Sequence, residues 1–164
     1  MERLHAPWRI NYILSKKPAP QGESVFADIA ASDQDEKNLV IARDKAAFAL
    51  LNAYPYNGGH TLIVPYRVVP DIDDLTEEEV SAIWILTRRC KRALTEVMRP
   101  QGFNIGLNLG PVAGAGIAEH LHWHIVPRWN GDTNFMPVLA DTAILPEALE
   151  ELAGKLRAAL AHDG

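Results

Sequence analysis

A chain of 164 residues, 48% hydrophobic and 23% charged, has the make-up of one globular domain long enough for a hydrophobic core. Its formal charge of −5 supplies no basic field for gripping nucleic acid non-specifically, although a single nucleotide needs only a local pocket. The lone Cys90 excludes an intrachain disulfide, no apolar run reaches membrane-span length, and MERLHAPWRI lacks a signal-peptide core, so a cytoplasmic protein is expected.

In chain order, the Pro/Gly-rich KKPAPQGES (16–24) reads as a loop after a short N-terminal arm, so residues 1–37 are expected to be arm and loop. Three short apolar runs follow, NLVIAR (38–43), AAFALLN (46–52) and HTLIVP (60–65), whose lengths and intervening turn residues predict strands. The turn-rich YPYNGG (54–59) joins the last two as a hairpin with a long loop.

Thr76 and Glu79 have the spacing of a capping box, and Val80, Ile83, Trp84, Thr87, Cys90, Leu94 and Val97 recur at helical intervals until Pro100. A long helix is expected there, with the basic run RRCKR (88–92) as charges flanking its apolar stripe. FNIGLNLG (103–110) predicts another strand, PVAGAGIAE (111–119) a loop of small residues, and EHLHWHIVPRW (119–129) the next strand. Pro146 opens a final helix with Leu149, Leu152, Leu156 and Leu160 on one face. The expected organisation is a single domain over 1–164, with its core at 38–137 and a C-terminal helix within 138–164. Strands on both sides of one main helix give an α+β class with an antiparallel sheet of about five strands.

The stretch EHLHWHIVPRW holds three of the six histidines, His120, His122 and His124, at alternate positions. In a strand these share one face, roughly 6–7 Å apart, while Leu121, Trp123 and Ile125 turn toward the core. Buried imidazoles need hydrogen-bond partners, so three in register are a poor packing solution. Two chemistries remain open. Neutral imidazoles converging on one point, with His60 from another strand, can ligate zinc. Alternatively one imidazole attacks phosphorus, because neutral imidazole keeps a lone pair near pH 7, while the others orient it and donate to phosphoryl oxygens. The loop GPVAGAG adds backbone N–H groups with little side chain around them, which can approach an anion closely.

The pattern His-Leu-His-Trp-His-Ile-Val, followed by Pro127 and Arg128, resembles the motif of the histidine triad (HIT) family. FALLNAYPYNGGHTLIVPYRVVPDIDDLTEEE (48–79) is similar to that family's strand, glycine-histidine strand and helix start, and NLGPVAGAG to its phosphate-side loop; the likeness covers roughly 38–137. The resemblance implies a HIT-like fold and nucleotidyl transfer on a sheet. It makes His122 the nucleophile toward an α-phosphate, His124 its phosphoryl-contacting partner, His60 a support of the same network, and His120 a structural member with a backbone hydrogen bond. It places Asn52 near ribose and phosphate, Asn108 near the α-phosphate, Gly114 and Gly116 in the phosphate-side loop, and Ile41 and Leu50 where a base pocket would lie. Apolar strand residues are more often ordinary core.

Two departures stand out. Ser24 and Ala27 replace the Cys-x-x-Cys that many members use, with two histidines, to hold structural zinc, and Val68 stands where one of those histidines often lies; no zinc is expected. Gly114, Ala115 and Gly116 occupy the region of the Gly-Gln whose amide assists the leaving group or incoming water. Downstream, PRWNGDTNF (127–135) resembles the diadenosine tetraphosphate phosphorylase branch, near the fragile histidine triad proteins, which brings Trp129, Asn134 and Arg128 toward the polyphosphate. The expected activity is transfer from a dinucleoside polyphosphate to phosphate or water through a nucleotidyl-histidine. The alternatives are a phosphoramidate hydrolase, a slow nucleotide-binding regulatory module, and a metal-binding protein. No tightly bound cofactor is implied; magnesium enters, if at all, with the substrate. A homodimer paired through the helix and a strand is implied by the resemblance.

Overall fold

The structure, a computed structural model, describes residues 23–132 and 148–162. The arm before residue 23, Asn134 and Pro146 lie outside the described residues. Five strands, β1 (Val40–Arg43), β2 (Ala47–Leu51), β3 (Thr61–Pro65), β4 (Gly102–Gly106) and β5 (Trp123–Arg128), form one antiparallel sheet in the order β1-β2-β3-β5-β4. Among the described residues three helices accompany it: α1 (Val25–Ala31), α2 (Glu77–Met98) and α3 (Leu149–Ala161).

Alternation along the strands sorts the core into two layers. Ala47, Ala49 and Leu51 of β2, Ile63 of β3 and Ile125 of β5 pack under α2 and α3, against Ile83, Leu86, Cys90, Leu94, Leu152 and Leu156. The intervening Phe48, Leu50, Leu62 and Val64 form a second cluster with Val40 and with Phe26 of α1. β2 and β3 are covered on both faces, which is why they read as unbroken apolar runs. Burial pushes the Cys90 thiol up to about 12, so it packs as a small hydrophobe.

The sequence expectations need four corrections. Residues expected as loop contain α1, capped by Ser24, whose hydroxyl accepts from the Ala27 N–H. The strand expected over 103–110 stops at Gly106, ahead of a 3-10 turn at Pro111–Ala113. The strand expected from His120 begins at Trp123, so His120 and His122 sit in an extended lead-in. The stripe of α2 is rotated: Val80 and Trp84 are 52% and 57% exposed, and the small Ala82 and Ala93 join Ile83, Leu86, Thr87, Cys90 and Leu94 inside. Spacing alone ranks bulky apolar residues over alanine, whereas close helix-on-sheet packing prefers the alanines. The solvated reading of RRCKR holds for Arg88, Lys91 and Arg92, which are exposed. Among the described residues no helix is long and apolar enough to cross a membrane.

The capping box forms as expected. The Thr76 hydroxyl accepts from the Glu79 N–H at 3.2 Å, and a Glu79 oxygen accepts from the Thr76 N–H at 2.8 Å. Arg67 grips the same carboxylate from β3's exit at 3.0 and 2.7 Å. The Arg67 guanidinium, helped by the Thr76 donors and opposed by burial, holds the Glu79 carboxyl below the usual range. A carboxyl lowered on folding stabilises the protein above its unfolded pKa, and that stabilisation is lost as pH falls through the folded one. Glu79→Gln should therefore cost about 1 kcal/mol at neutral pH, seen as a thermal midpoint lower by roughly 2–4 °C. The gap should close when the midpoints are measured at progressively lower pH in the acid range.

Candidate active site

The histidine face lies where β3 and β5 meet. Leu62 pairs with His124 across these strands, and His60 stands one residue before β3 on the same side. The loop joining β2 to β3 places His60 through its own bonds: Asn52 N–H donates to His60 O at 2.8 Å and His60 N–H to Asn57 O at 3.1 Å. Gly59 in that loop has φ +77°, and a Cβ there would meet Met98 Sδ at 2.5 Å, so only glycine fits.

All four imidazoles are buried, with His60 and His120 almost fully enclosed. Their partners fix which nitrogen carries the proton in the neutral ring. A backbone N–H only donates, so His60 Nδ1 accepts from Tyr56 N–H at 3.0 Å and the His60 proton sits on Nε2. The Asn52 amide lies beside the same Nδ1 at 3.3 Å. His60 Nε2–H then donates to His124 Nδ1 at 2.8 Å, which sends the His124 proton to Nε2. A carbonyl only accepts, so His122 Nδ1–H donates to His120 O at 2.8 Å, and His122 Nε2 is left unprotonated with its lone pair. The His122 and His124 rings are 5.0 Å apart at their centroids, nearly edge to face.

His120 is tied elsewhere. Its Nε2–H donates to Pro65 O at 2.9 Å and its Nδ1 accepts from the Ser24 hydroxyl at 2.5 Å. Burial, outweighing the Pro65 bond, pushes His120 below the ordinary imidazole range and keeps the ring neutral. Ser24 thus meets His120 directly and Ala27 follows three residues on, so hydroxyl and methyl stand where the resemblance puts the thiolates of a zinc site, and both His120 nitrogens are engaged. These residues do not fit a structural zinc. Among the described residues no trio of His, Cys, Asp or Glu is placed to hold a metal ion.

Phe26 of α1 packs against both His120 and His122, at 5.6 and 5.2 Å between centroids. On the other side of the histidines a cavity of about 310 Å³ opens over β4 and β5, lined by His124, Tyr56, Asn104, Asn108, Val126 and Arg128.

The structure brings His60, His122 and His124 together, with Asn52 beside His60; of these imidazoles His124 lines the cavity, along with Asn108. It separates others. Ile41 packs under the helices, on the opposite face from the histidines, whereas Leu50 lies on the histidine face in the Phe26 cluster. Arg128 lines the cavity, but the bidentate edge of its guanidinium is taken by Asp132, at 2.6 and 2.9 Å, and its third nitrogen donates to Asn104 Oδ1 at 2.8 Å. Trp129 is half-buried beyond the end of β5, its N–H donating to Asp132, outside the cavity lining. Gly114, at φ +92° where it closes the 3-10 turn, and Gly116 are exposed and line no part of the cavity.

Three contributors escaped the sequence reading: Ser24 as the partner of His120, Tyr56, and Asp132. Ser24 was detectable as an N-cap ahead of VFADIAA; the other two carry no local signal.

The HIT domain model matches residues 33–131. The chain is 42% identical over 157 residues to AP-4-A phosphorylase of Mycobacterium tuberculosis, covering 92% of this chain and 80% of that one. It is 38% identical over 82 residues to the bis(5'-adenosyl)-triphosphatase of Dictyostelium discoideum, half of this chain and 54% of that one. A zinc-bound histidine triad family protein from Mycobacterium smegmatis superposes with a TM-score of 0.69 at 31% identity, covering 85% of this chain and 94% of that one.

Ser24→Ala removes both the α1 cap and the donor to buried His120. It should cost about 2 kcal/mol, the sum of a lost cap and an orphaned buried acceptor, measured by denaturant unfolding. Ser24→Thr, which keeps the hydroxyl, should restore most of it.

Proposed function

The chain belongs to the HIT domain family, and on that premise we propose that it is a histidine triad enzyme moving a nucleotidyl group from a dinucleoside polyphosphate to orthophosphate through His122. The observation that carries this reading is the bond from His122 Nδ1–H to the His120 carbonyl, which holds Nε2 as a lone-pair nitrogen. In the first step that lone pair attacks the α-phosphorus, an N–P bond forms, and the P–O bond to the leaving nucleotide breaks. His124 Nε2–H donates to the phosphoryl group or the departing oxygen. In the second step an orthophosphate oxygen attacks the same phosphorus, the N–P bond breaks, and His122 is regenerated. From diadenosine tetraphosphate the products are ATP and then ADP. Two inversions give retention at phosphorus. Fixed donors and positioning supply the acceleration, since the leaving polyphosphate is already a good leaving group.

Orthophosphate as acceptor is supported by the long likeness to AP-4-A phosphorylase and by Ala115 standing where an amide would assist water. The likeness to a bis(5'-adenosyl)-triphosphatase supports water as the second reading. As part of the same proposal the protein works in the cytoplasm as a homodimer. The exposed apolar Val80, Trp84 and Ile85 of α2 and Ile105 of the edge strand β4 suit a second copy. Light scattering after size exclusion should give twice the chain mass, and Trp84→Glu should shift it toward one.

The deciding experiment is product analysis with diadenosine tetraphosphate, with and without orthophosphate. ADP plus ATP only when phosphate is present is the expected result; AMP plus ATP regardless of phosphate would make water the acceptor. His122→Ala should lower turnover at least roughly a thousandfold while AMP still binds. Undiminished turnover would end the covalent reading.

A further inference from the structure

Tyr56 lies in the β2–β3 loop, four residues ahead of His60. Its N–H donates to His60 Nδ1, and its ring stacks on His60 with centroids 4.6 Å apart and planes 26° from parallel. The same ring runs nearly parallel to His124, at 5.8 Å and 21°. One side chain therefore spans both partners of the His60–His124 hydrogen bond, while 44% of Tyr56 remains exposed where it lines the cavity. A core residue would be enclosed, and a surface tyrosine would not lie flat over two imidazoles.

The loop holds this ring firmly. The Asn57 amide donates to Pro127 O at 3.1 Å and to the Asp132 carboxylate at 3.0 Å, bolting the residue after Tyr56 to the end of β5. Asp132 is itself fixed by the Arg128 fork. The constraint thus runs from β5 through Asn57 to Tyr56 and back to His124.

We propose that Tyr56 is a positioning residue for the transfer reaction: while its main-chain N–H sets the His60 tautomer, its ring covers the His60–His124 pair and preserves the hydrogen bond that keeps the His124 proton on Nε2. Without the N–H, His60 could carry its proton on Nδ1, Nε2 would accept, and the proton of His124 would move to Nδ1, away from the cavity. Without the ring, water reaches the imidazole pair and offers both rings other partners. The effect falls on the chemical step. The catalytic consequence rests on the reading of His122 as nucleophile and His124 as donor; the tautomer consequence does not.

The test uses the intact chain in parent, Tyr56→Phe, Tyr56→Leu and Tyr56→Ala forms. Steady-state kinetics with diadenosine tetraphosphate and orthophosphate are read alongside nitrogen NMR of histidine-labelled protein. The Phe variant should stay within about twofold of parent, whereas Leu and Ala should each lose about tenfold in kcat with KM little changed, the scale of a lost ring pair. In the NMR spectrum His60, which keeps the main-chain N–H at position 56 in every variant, should hold its Nε2–H tautomer, whereas the single Nε2–H tautomer of His124 in the parent should give way to tautomer averaging in Leu and Ala. Parental kcat in both, full rescue by Leu, a change confined to KM, or an unaltered His124 tautomer would overturn the proposal. Tautomer averaging in Ala with a parent inactive on dinucleotides would uphold the positioning and sink the substrate reading instead. Should Ala unfold, Leu, which fills the same space without a π face, decides alone.

Discussion

Neutral imidazole has one donor nitrogen and one acceptor, and burying it obliges both to be matched. This obligation organises the functional half of the molecule. Four imidazoles enter the interior at one place, and three of them meet a main-chain group that can act in one sense only: the Tyr56 N–H, the His120 carbonyl and the Pro65 carbonyl. From those three fixed points the proton positions of the whole cluster follow, including His124, which receives its orientation second-hand from His60. Backbone groups are better anchors than side chains, because they move only if the strand or loop that carries them moves. The pattern leaves a lone pair on His122 and an N–H on His124, side by side. That pairing of a lone pair with an N–H suits attack on a phosphoryl group better than shared ligation of a metal, which would need two lone pairs facing one point.

The scaffold makes these anchors rigid. The β2–β3 loop closes on itself through Asn52, Asn57 and His60, and Gly59 lets it pass against Met98 and Leu94 at the end of α2. On the far side, Asp132 gathers the Arg128 guanidinium, the Trp129 N–H and the Asn57 amide around one nearly buried carboxylate. Arg128 is thereby paired with a full opposite charge, so the cavity it lines is less cationic than its sequence suggests. On the proposed function, recognition of a polyphosphate would rest more on aimed N–H groups than on net charge, in keeping with a chain of formal charge −5.

Local chemistry explains which features were readable in the sequence. The strands, the capping box of α2 and the leucine face of α3 announce themselves within a few residues, through period and punctuation. The alternation of histidine and apolar residues likewise announces a face. What escaped reading depends on contacts far apart in sequence. Ser24 and His120 are 96 positions apart, and Asn57 and Asp132 are 75 apart; no spacing rule links them. Arg128 looked like a phosphate donor because an arginine after a strand is a good one; only the fold shows that a carboxylate four residues on has claimed its fork. α1 is seven residues long, too short for periodicity to register, and its place is set by the Ser24 bond to His120 and by Phe26.

The site and the core share a single register. Ile125, fully buried, sits between Thr61 of β3 and Ile105 of β4 and faces the helices; its neighbour His124 therefore faces the cavity, opposite Leu62 and Gly106. A slip of one residue along β5 would send His124 under α2 and bring Ile125 and Trp123 to the cavity, burying an imidazole without partners and exposing the apolar set. The packed core and the placing of His124 thus depend on the same alignment. Gly106 beside His124 leaves the rim of the cavity free of side-chain bulk on β4, and Val126 supplies its floor. The apolar residues interleaved with the histidines therefore fix the register that decides which way His124 points.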